Sequence, residues 1–249
     1  MIPLKTTEEI GYIRESGIIV AGALDKLMKV IGPGIKTIEL DRLAGEFIHT
    51  KGAESAFLGF KGFPKSICVS VNNEVIHGIP CERVIKKGDI VSLDIGVVKN
   101  GYYADAAVTV GVEEIKEDAE KLMHSTREAL FKGIEKTFSG NRLGDISWAI
   151  QYNVEKAGFS VVRKFVGHGI GKQLHEEPQI PNFGSPGQGP KLREGMVLAI
   201  EPMVNFGGYE VDVCDDGWTA ITKDRSLSAH FEHTVAITAN GPVILTLIE

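Results

Sequence analysis

Cysteine is scarce in this chain. Only Cys68, Cys81 and Cys214 occur, an odd number, far apart and without a C-x-x-C pair, which excludes a disulfide framework and a zinc ribbon. All three read as buried or semi-buried thiols. Long apolar runs are missing too. Residues 1–9 carry no apolar stretch of signal-peptide length, and nothing later approaches the roughly 20 apolar residues that cross a bilayer. The expected compartment is therefore the cytosol, and no membrane partner is expected. An excess of positive charge is also absent: 27 Lys and Arg face 33 Asp and Glu, for a formal net charge of -6. That leaves no basic field for a phosphate backbone and excludes a stable nucleic-acid complex as the main role. What remains, 43% hydrophobic and 24% charged over 249 residues, is the composition of a globular chain with a real core.

Thr6 followed by Glu9 forms a capping-box pattern, and Ile10, Ile13, Val20, Leu24 and Leu27 recur at helical spacing until Gly32-Pro33-Gly34, which predicts a long first helix. Residues 37–51, 117–138 and 144–157 read as further helices. Residues 66–71, 89–98, 102–110, 160–166, 196–205 and 229–238 read as strands, and residues 184–190 as a surface loop. Asn100-Gly101 lies between two of these strands and is the strongest short hairpin signal a sequence offers.

The order of elements repeats, and so do residues. Lys87-Gly88-Asp89-Ile90-Val91-Ser92-Leu93-Asp94 aligns with Glu194-Gly195-Met196-Val197-Leu198-Ala199-Ile200-Glu201, His77-Gly78-Ile79 with His168-Gly169-Ile170, and Asp105-Ala106-Ala107-Val108 with Glu232-His233-Thr234-Val235. Matches in one order imply two related halves, about residues 1–112 and 113–249 of a single 1–249 domain. Their strands would pair into one curved sheet with helices outside, an α+β architecture.

Asp94, Asp105, Glu201 and Glu232 each stand inside a strand-like apolar run, where carboxylates are depleted and rarely buried without a partner. If Asn100-Gly101 makes a two-residue turn, Lys99 pairs with Tyr102 and residue 94 lies opposite 107. Asp94 and Asp105 then share a face at about 7–8 Å or less; a three-residue turn or a bulge would break that parity. Four buried carboxylates cannot all stay ionised without nearby positive charge. Two divalent cations would balance them, with His168, between Gly167 and Gly169, adding a nitrogen. Such oxygen-rich donors suit Mn, Fe, Co or Zn. His49, His124, His230 and His233 sit in helical patterns or beside strands and read as structural.

Further motifs carry a resemblance: Asn72-Asn73-Glu74-Val75-Ile76-His77-Gly78-Ile79-Pro80, Gly167-His168-Gly169-Ile170-Gly171, His175-Glu176-Glu177-Pro178-Gln179, Ile200-Glu201-Pro202-Met203 and Ser226-Leu227-Ser228-Ala229-His230-Phe231-Glu232-His233-Thr234. With the Asp94 to Asp105 spacing, the set is similar to the type I, single-domain bacterial methionine aminopeptidases of metallopeptidase family M24, over nearly the whole chain. The resemblance implies the pita-bread fold and removal of N-terminal methionine, with a water between two divalent metals attacking the first peptide bond. It implies Asp94, Asp105, His168, Glu201 and Glu232 as metal ligands, Glu201 as proton shuttle, and His77 and His175 as catalytic and substrate-binding histidines outside the ligand set. Phe57, Phe60, Phe63, Cys68, Leu174 and Trp218 occupy the methionine-pocket positions, where aromatic and aliphatic side chains replace some hydroxylated or thiol ones. Asn72 and Ser228 fall where the family can hold a monovalent cation. A monomer acting on nascent N-termini near the ribosome, with a small second residue preferred, is the implied partnership.

Two relatives of the same fold fit less well. Proline-specific peptidases and creatinase normally carry a sizeable N-terminal domain, and type II relatives an inserted helical subdomain for which residues 175–201 leave no room. Metal-free binding modules of this fold have lost ligands that this chain keeps.

Overall fold

The structure, a computed structural model, describes residues 2–247; Met1 and the last two residues, the ends of the expected halves, lie outside it. The first helix, α1 (Thr7–Val30), starts where expected. The Thr6 hydroxyl accepts from the Glu9 amide, and the Glu9 carboxylate accepts from the Thr6 amide, which satisfies two of the otherwise orphaned donors of a helix start. Its apolar stripe, Val20, Ala23, Leu24 and Leu27, packs on Leu93, Ile95, Val97 and Ala106, and full burial of each large side chain stabilises the fold by about 1.5–3 kcal/mol. The other helices are α2 (Thr37–Thr50), α3 (Glu117–Ile134) and α4 (Leu143–Lys156). The third ends four residues before the expected 138.

Asn100 (φ 53°) and Gly101 (φ 76°) both take the left-handed conformation of a tight hairpin turn. Strands Ile90–Lys99 and Tyr102–Gly111 then pair with Lys99 opposite Tyr102, Gly96 opposite Asp105 and Asp94 opposite Ala107, the register read from the sequence. Side chains alternate along a strand. Leu93, Ile95 and Val97 therefore face α1, and Asp94 faces the other way.

The main sheet is antiparallel and curled, with its strands in the order Glu54–Ser55, Ile90–Lys99, Tyr102–Gly111, Glu232–Thr238, Val197–Ile200, Val166–Gly169, Glu176–Pro181; Cys68–Val71 and Gly241–Ile244 join it from the sides. Glu232 pairs with Ala107 and His233 with Ala106, so the second half joins the first beside the two aspartates. His168 and Thr234 both pair with Ala199, from opposite sides.

Three expected strands are interrupted. Residues 196–205 divide into Val197–Ile200 and Met203–Asn205, because Pro202 has no amide to give to a ladder. Residues 229–238 divide at Phe231, and residues 160–166 contain only the short strand Ser160–Val161 before Val166–Gly169. Each piece beyond a break pairs in a small separate sheet made of Ser228–His230, Met203–Asn205 and Ser160–Val161. The strand Glu176–Pro181, which carries one of the quoted motifs, was not expected. Cys81 departs from its reading as well. It is exposed, in the loop after Pro80, while Cys68 is buried and Cys214 intermediate. No described helix is long and apolar enough to cross a membrane.

Candidate metal centre

Asp94, Asp105, His168, Glu201 and Glu232 line one cavity of about 160 Å³ together with His77, His175, Phe57, Phe60, Phe63, Cys68, Leu174 and Trp218. Every catalytic, metal-binding and pocket residue expected from the sequence thus meets in one place, and Lys61 joins them. Asp105, His168 and Glu232 are buried and offer ligand atoms within 4.8 Å of one another. Glu201 stands beside them, its Oε1 3.5 Å from His168 Nε2, which also lies 3.4 Å from Asp105 Oδ2.

His168 reaches this position because its neighbours are glycines. A Cβ on residue 167 would strike the Ala199 carbonyl at 2.4 Å, and one on residue 169 the Glu177 carbonyl at 2.2 Å. The two adjacent strands can close on His168 only where those atoms are missing. Its Nδ1 lies 3.0 Å from the Gly169 carbonyl oxygen, so Nδ1–H donates there and Nε2 faces the carboxylates, the arrangement typical of a ligating histidine. Asp105 is held by the Thr234 hydroxyl, 2.8 Å from its carbonyl oxygen and 3.1 Å from Oδ1.

The electrostatics call for a cation. Burial raises the pKa of Asp94, Glu201 and Glu232 well above the usual carboxylate range, and neighbouring carboxylates push each further. Burial pulls His168 down, but Asp105, Glu201 and the Gly169 carbonyl outweigh it and lift the imidazole to about 9. Asp94 Oδ1 is buried with no hydrogen-bond partner, and native proteins rarely leave such an atom unused. An oxygen-rich set with one imidazole, an unpartnered carboxylate oxygen and mutual repulsion fits hard or borderline divalent metal.

The two other expected histidines differ from His168. His77 takes a left-handed backbone (φ 58°), a strained conformation that clusters at functional sites, and its ring meets Phe165 and Trp218 at 5.8 and 6.3 Å. His175 stands against Phe60 at 5.2 Å and against His168 at 4.2 Å. Burial lowers both to about 4, so both are neutral near pH 7 and carry one N–H each. On the apolar side, Phe63 and Trp218 meet edge-on at 5.1 Å. With Phe57, Phe60, Cys68 and Leu174 they wall the cavity opposite the acidic cluster.

Asn72 (φ 61°) gives its carbonyl to the Ser228 amide at 2.9 Å, so the pair expected near a monovalent cation is in contact across the two halves. His49 and His124 are exposed, and His233 is tied to the Thr246 hydroxyl at 2.9 Å. His230, also read as structural, is 2% exposed and brings Nε2 to 3.8 Å from Glu201 Oε2 with no hydrogen-bond partner. Its place in the internal repeat falls on Tyr103, so the repeat offered no cue to it.

Residues 11–239 match the model of metallopeptidase family M24. A methionine aminopeptidase of Clostridium perfringens is 59% identical over 249 residues, covering all of both chains. The crystal structure of a methionine aminopeptidase from Thermotoga maritima superposes with a TM-score of 0.98 at 50% identity, again over all of both chains. The prolidase of Pyrococcus furiosus, 24% identical, shares the fold at a TM-score of 0.81, with 66% of its chain covered.

Proposed function

The chain belongs to metallopeptidase family M24, and from that premise we propose that it is a methionine aminopeptidase, removing the first methionine from new polypeptides whose second residue is small. The observation that carries this reading is a single cavity where an acidic cluster able to hold metal meets a wall of aromatic and aliphatic side chains. The family and the Asp105, His168 and Glu232 cluster make it a divalent-metal protein. The finer assignment is two ions, of Co, Mn, Fe or Zn, held by Asp94, Asp105, His168, Glu201 and Glu232. When bound, these ions supply a water of lowered pKa, a Lewis acid for the scissile carbonyl and an anchor for the free α-amine.

The side chains do the rest. Glu201, whose carboxylate lies 3.5 Å from His168 Nε2, takes a proton from the attacking water and delivers it to the leaving amine. Neutral His77 and His175 donate their N–H groups to the scissile amide and the substrate backbone, where charge develops. Phe57, Phe60, Phe63, Cys68, Leu174 and Trp218 receive the methionine side chain, whose thioether packs well against aromatic edges. A monovalent cation at Asn72 and Ser228 would brace the contact between the halves. The working unit is one domain, residues 1–249, acting as a monomer on nascent chains in the cytoplasm near the ribosome.

Methionine release from Met-Ala, Met-Gly and Met-Trp peptides, before and after chelation and return of each metal, tests this. We expect release from the first two, little from the third, and none without metal. Undiminished release after verified metal removal would sink the metallopeptidase reading; equal rates on Met-Ala and Met-Trp would sink the second-residue preference.

A further inference from the structure

His230 is the buried ionisable side chain at this site that the reaction as described leaves without a task. It is 2% exposed, and its Nε2 has no hydrogen-bond partner. Native structures seldom leave a buried polar atom unpaired without using it.

Its backbone is fixed from both halves. Ser228–His230 pairs with Met203–Asn205, placing His230 opposite Met203, two residues beyond Glu201. The Thr109 hydroxyl donates to the His230 carbonyl at 2.8 Å and accepts from the His230 amide at 2.9 Å. Having given its proton to that carbonyl, Thr109 receives the Ser92 hydroxyl, 2.7 Å away. A Ser92 to Thr109 to His230 chain therefore sets where the imidazole starts, and a group held this way is oriented in advance.

The imidazole reaches Glu201. His230 Nε2 lies 3.8 Å from Glu201 Oε2, and His168 Nε2 lies 3.5 Å from Glu201 Oε1, so the carboxylate is flanked by an imidazole nitrogen at each oxygen. His230 does not line the cavity; it approaches Glu201 from behind. At 3.8 Å the contact is longer than a hydrogen bond, and a small rotation of either side chain closes it.

We propose that His230 is a positioning residue for Glu201: its Nε2–H donates to Oε2 when the carboxylate works, fixing the plane in which Glu201 presents its other oxygen to the reaction. This rests on the assignment of Glu201 as proton carrier. Packing alone would need only the volume of the ring, whereas positioning needs the donor. Glutamine keeps a side-chain N–H, and leucine keeps only bulk.

The test compares wild type, His230→Leu and His230→Gln on a Met-Ala peptide at saturating metal, with ion content measured for each, and follows histidine ring nitrogens by 15N NMR. His230→Leu should lower kcat by about 10- to 100-fold, the usual effect of removing an outer partner of a ligating group, with KM within about twofold and ion content unchanged. His230→Gln should recover most of the loss. NMR of the wild type should show a protonated Nε2 on His230 whose resonance moves in Glu201→Gln. Wild-type kcat in His230→Leu, equal losses in both variants, recovery on adding excess metal, or a bare Nε2 would each overturn the proposal. If His230→Leu does not fold, the glutamine variant and the wild-type resonance still decide it. If wild type releases no methionine at all, the aminopeptidase reading fails instead, and the response of the His230 resonance to Glu201→Gln still settles whether the two groups touch.

Discussion

His77 and His168 are imidazoles on the same cavity, and their surroundings assign them opposite work. His168 has carboxylate oxygens at 3.4 and 3.5 Å from Nε2, and Nδ1 on a carbonyl; His77 has aromatic neighbours and is held neutral by burial, its pKa lowered to about 4. His77→Ala should therefore keep its metal and lose kcat by roughly a hundred- to thousandfold, the effect of removing one donor to developing charge. His168→Ala should lose affinity for an ion, so that part of its activity returns at high metal concentration. Metal stoichiometry and kcat across a metal titration separate the two, and a His77→Ala variant that loses an ion and recovers with added metal would refute the assignment. Asp94 and Asp105 were legible in the sequence because carboxylates inside apolar strands violate a burial rule, and the tight turn fixed their shared face. His230 was not legible, because a histidine beside a strand violates nothing and its partner Glu201 is brought close only by pairing between separated pieces of chain.

At the level of elements, the start of α1 does more than begin a helix. Glu9, which caps it, also meets Lys172 at 3.0 Å and the Tyr102 hydroxyl at 3.0 Å, while Lys5 forms a buried pair with Glu176 at 2.5 Å. These contacts hold both sides of the segment that carries Leu174 and His175. The capping pattern was readable from Thr6 and Glu9 alone; the long-range contacts were not, since nothing local links residues 5 and 176. Lys5→Met leaves the Glu176 charge buried and unpaired, which should cost about 3–5 kcal/mol. Denaturant unfolding should record that loss, and Lys5→Met combined with Glu176→Gln should recover part of it; a neutral single variant would show that the pair is not needed. Glu9 also predicts a pH dependence. The Thr6 amide first, then Lys172, hold its pKa at about 2 against an ordinary 4.5. A depressed carboxylate contributes stability above its unfolded pKa and loses it as pH falls through the folded one. The Tm gap between wild type and Glu9→Gln should therefore shrink as pH drops from 4.5 towards 2, and a gap independent of pH would contradict this. The broken strands were illegible for another reason: a hydrophobic run records burial, whereas the breaks at Pro202 and Phe231 send its two parts into different sheets.

Over the whole molecule, the acidic cluster exists only where the halves meet, because the register of Glu232 with Ala107 sets the second half's carboxylates beside Asp105. The repeat of Asp105 and Glu232 in the sequence anticipated that meeting. Two large apolar clusters contain none of the residues that line the cavity, so the metal-free protein should keep its fold, with the cluster's contribution to stability depending on pH in a determinate direction. Asp94, Glu201 and Glu232 have raised pKa values through burial and mutual repulsion. Such acids bind protons more tightly when folded, so their contribution is full below the unfolded pKa and fades as pH climbs towards the folded one. His168, lifted to about 9 from 6.5, contributes fully below 6.5 and loses its contribution as pH rises through 9. Both effects have one sign. The buried His77, His175 and His233, lowered to about 4, and His230, lowered to about 3, act the other way only below their ordinary 6.5, so above pH 6.5 the metal-free protein is progressively destabilised as pH rises. Metal takes the place of those protons, and its affinity grows as they leave; at a hundredfold excess over Kd each ion adds about 2.7 kcal/mol. The Tm gained on adding metal should therefore widen between pH 6.5 and about 9, chiefly because the metal-free Tm falls. Calorimetry with and without chelator measures both limbs, and a metal-free Tm that held steady or rose over that range would mean the cluster is not the source of charge strain that makes this fold a metal site.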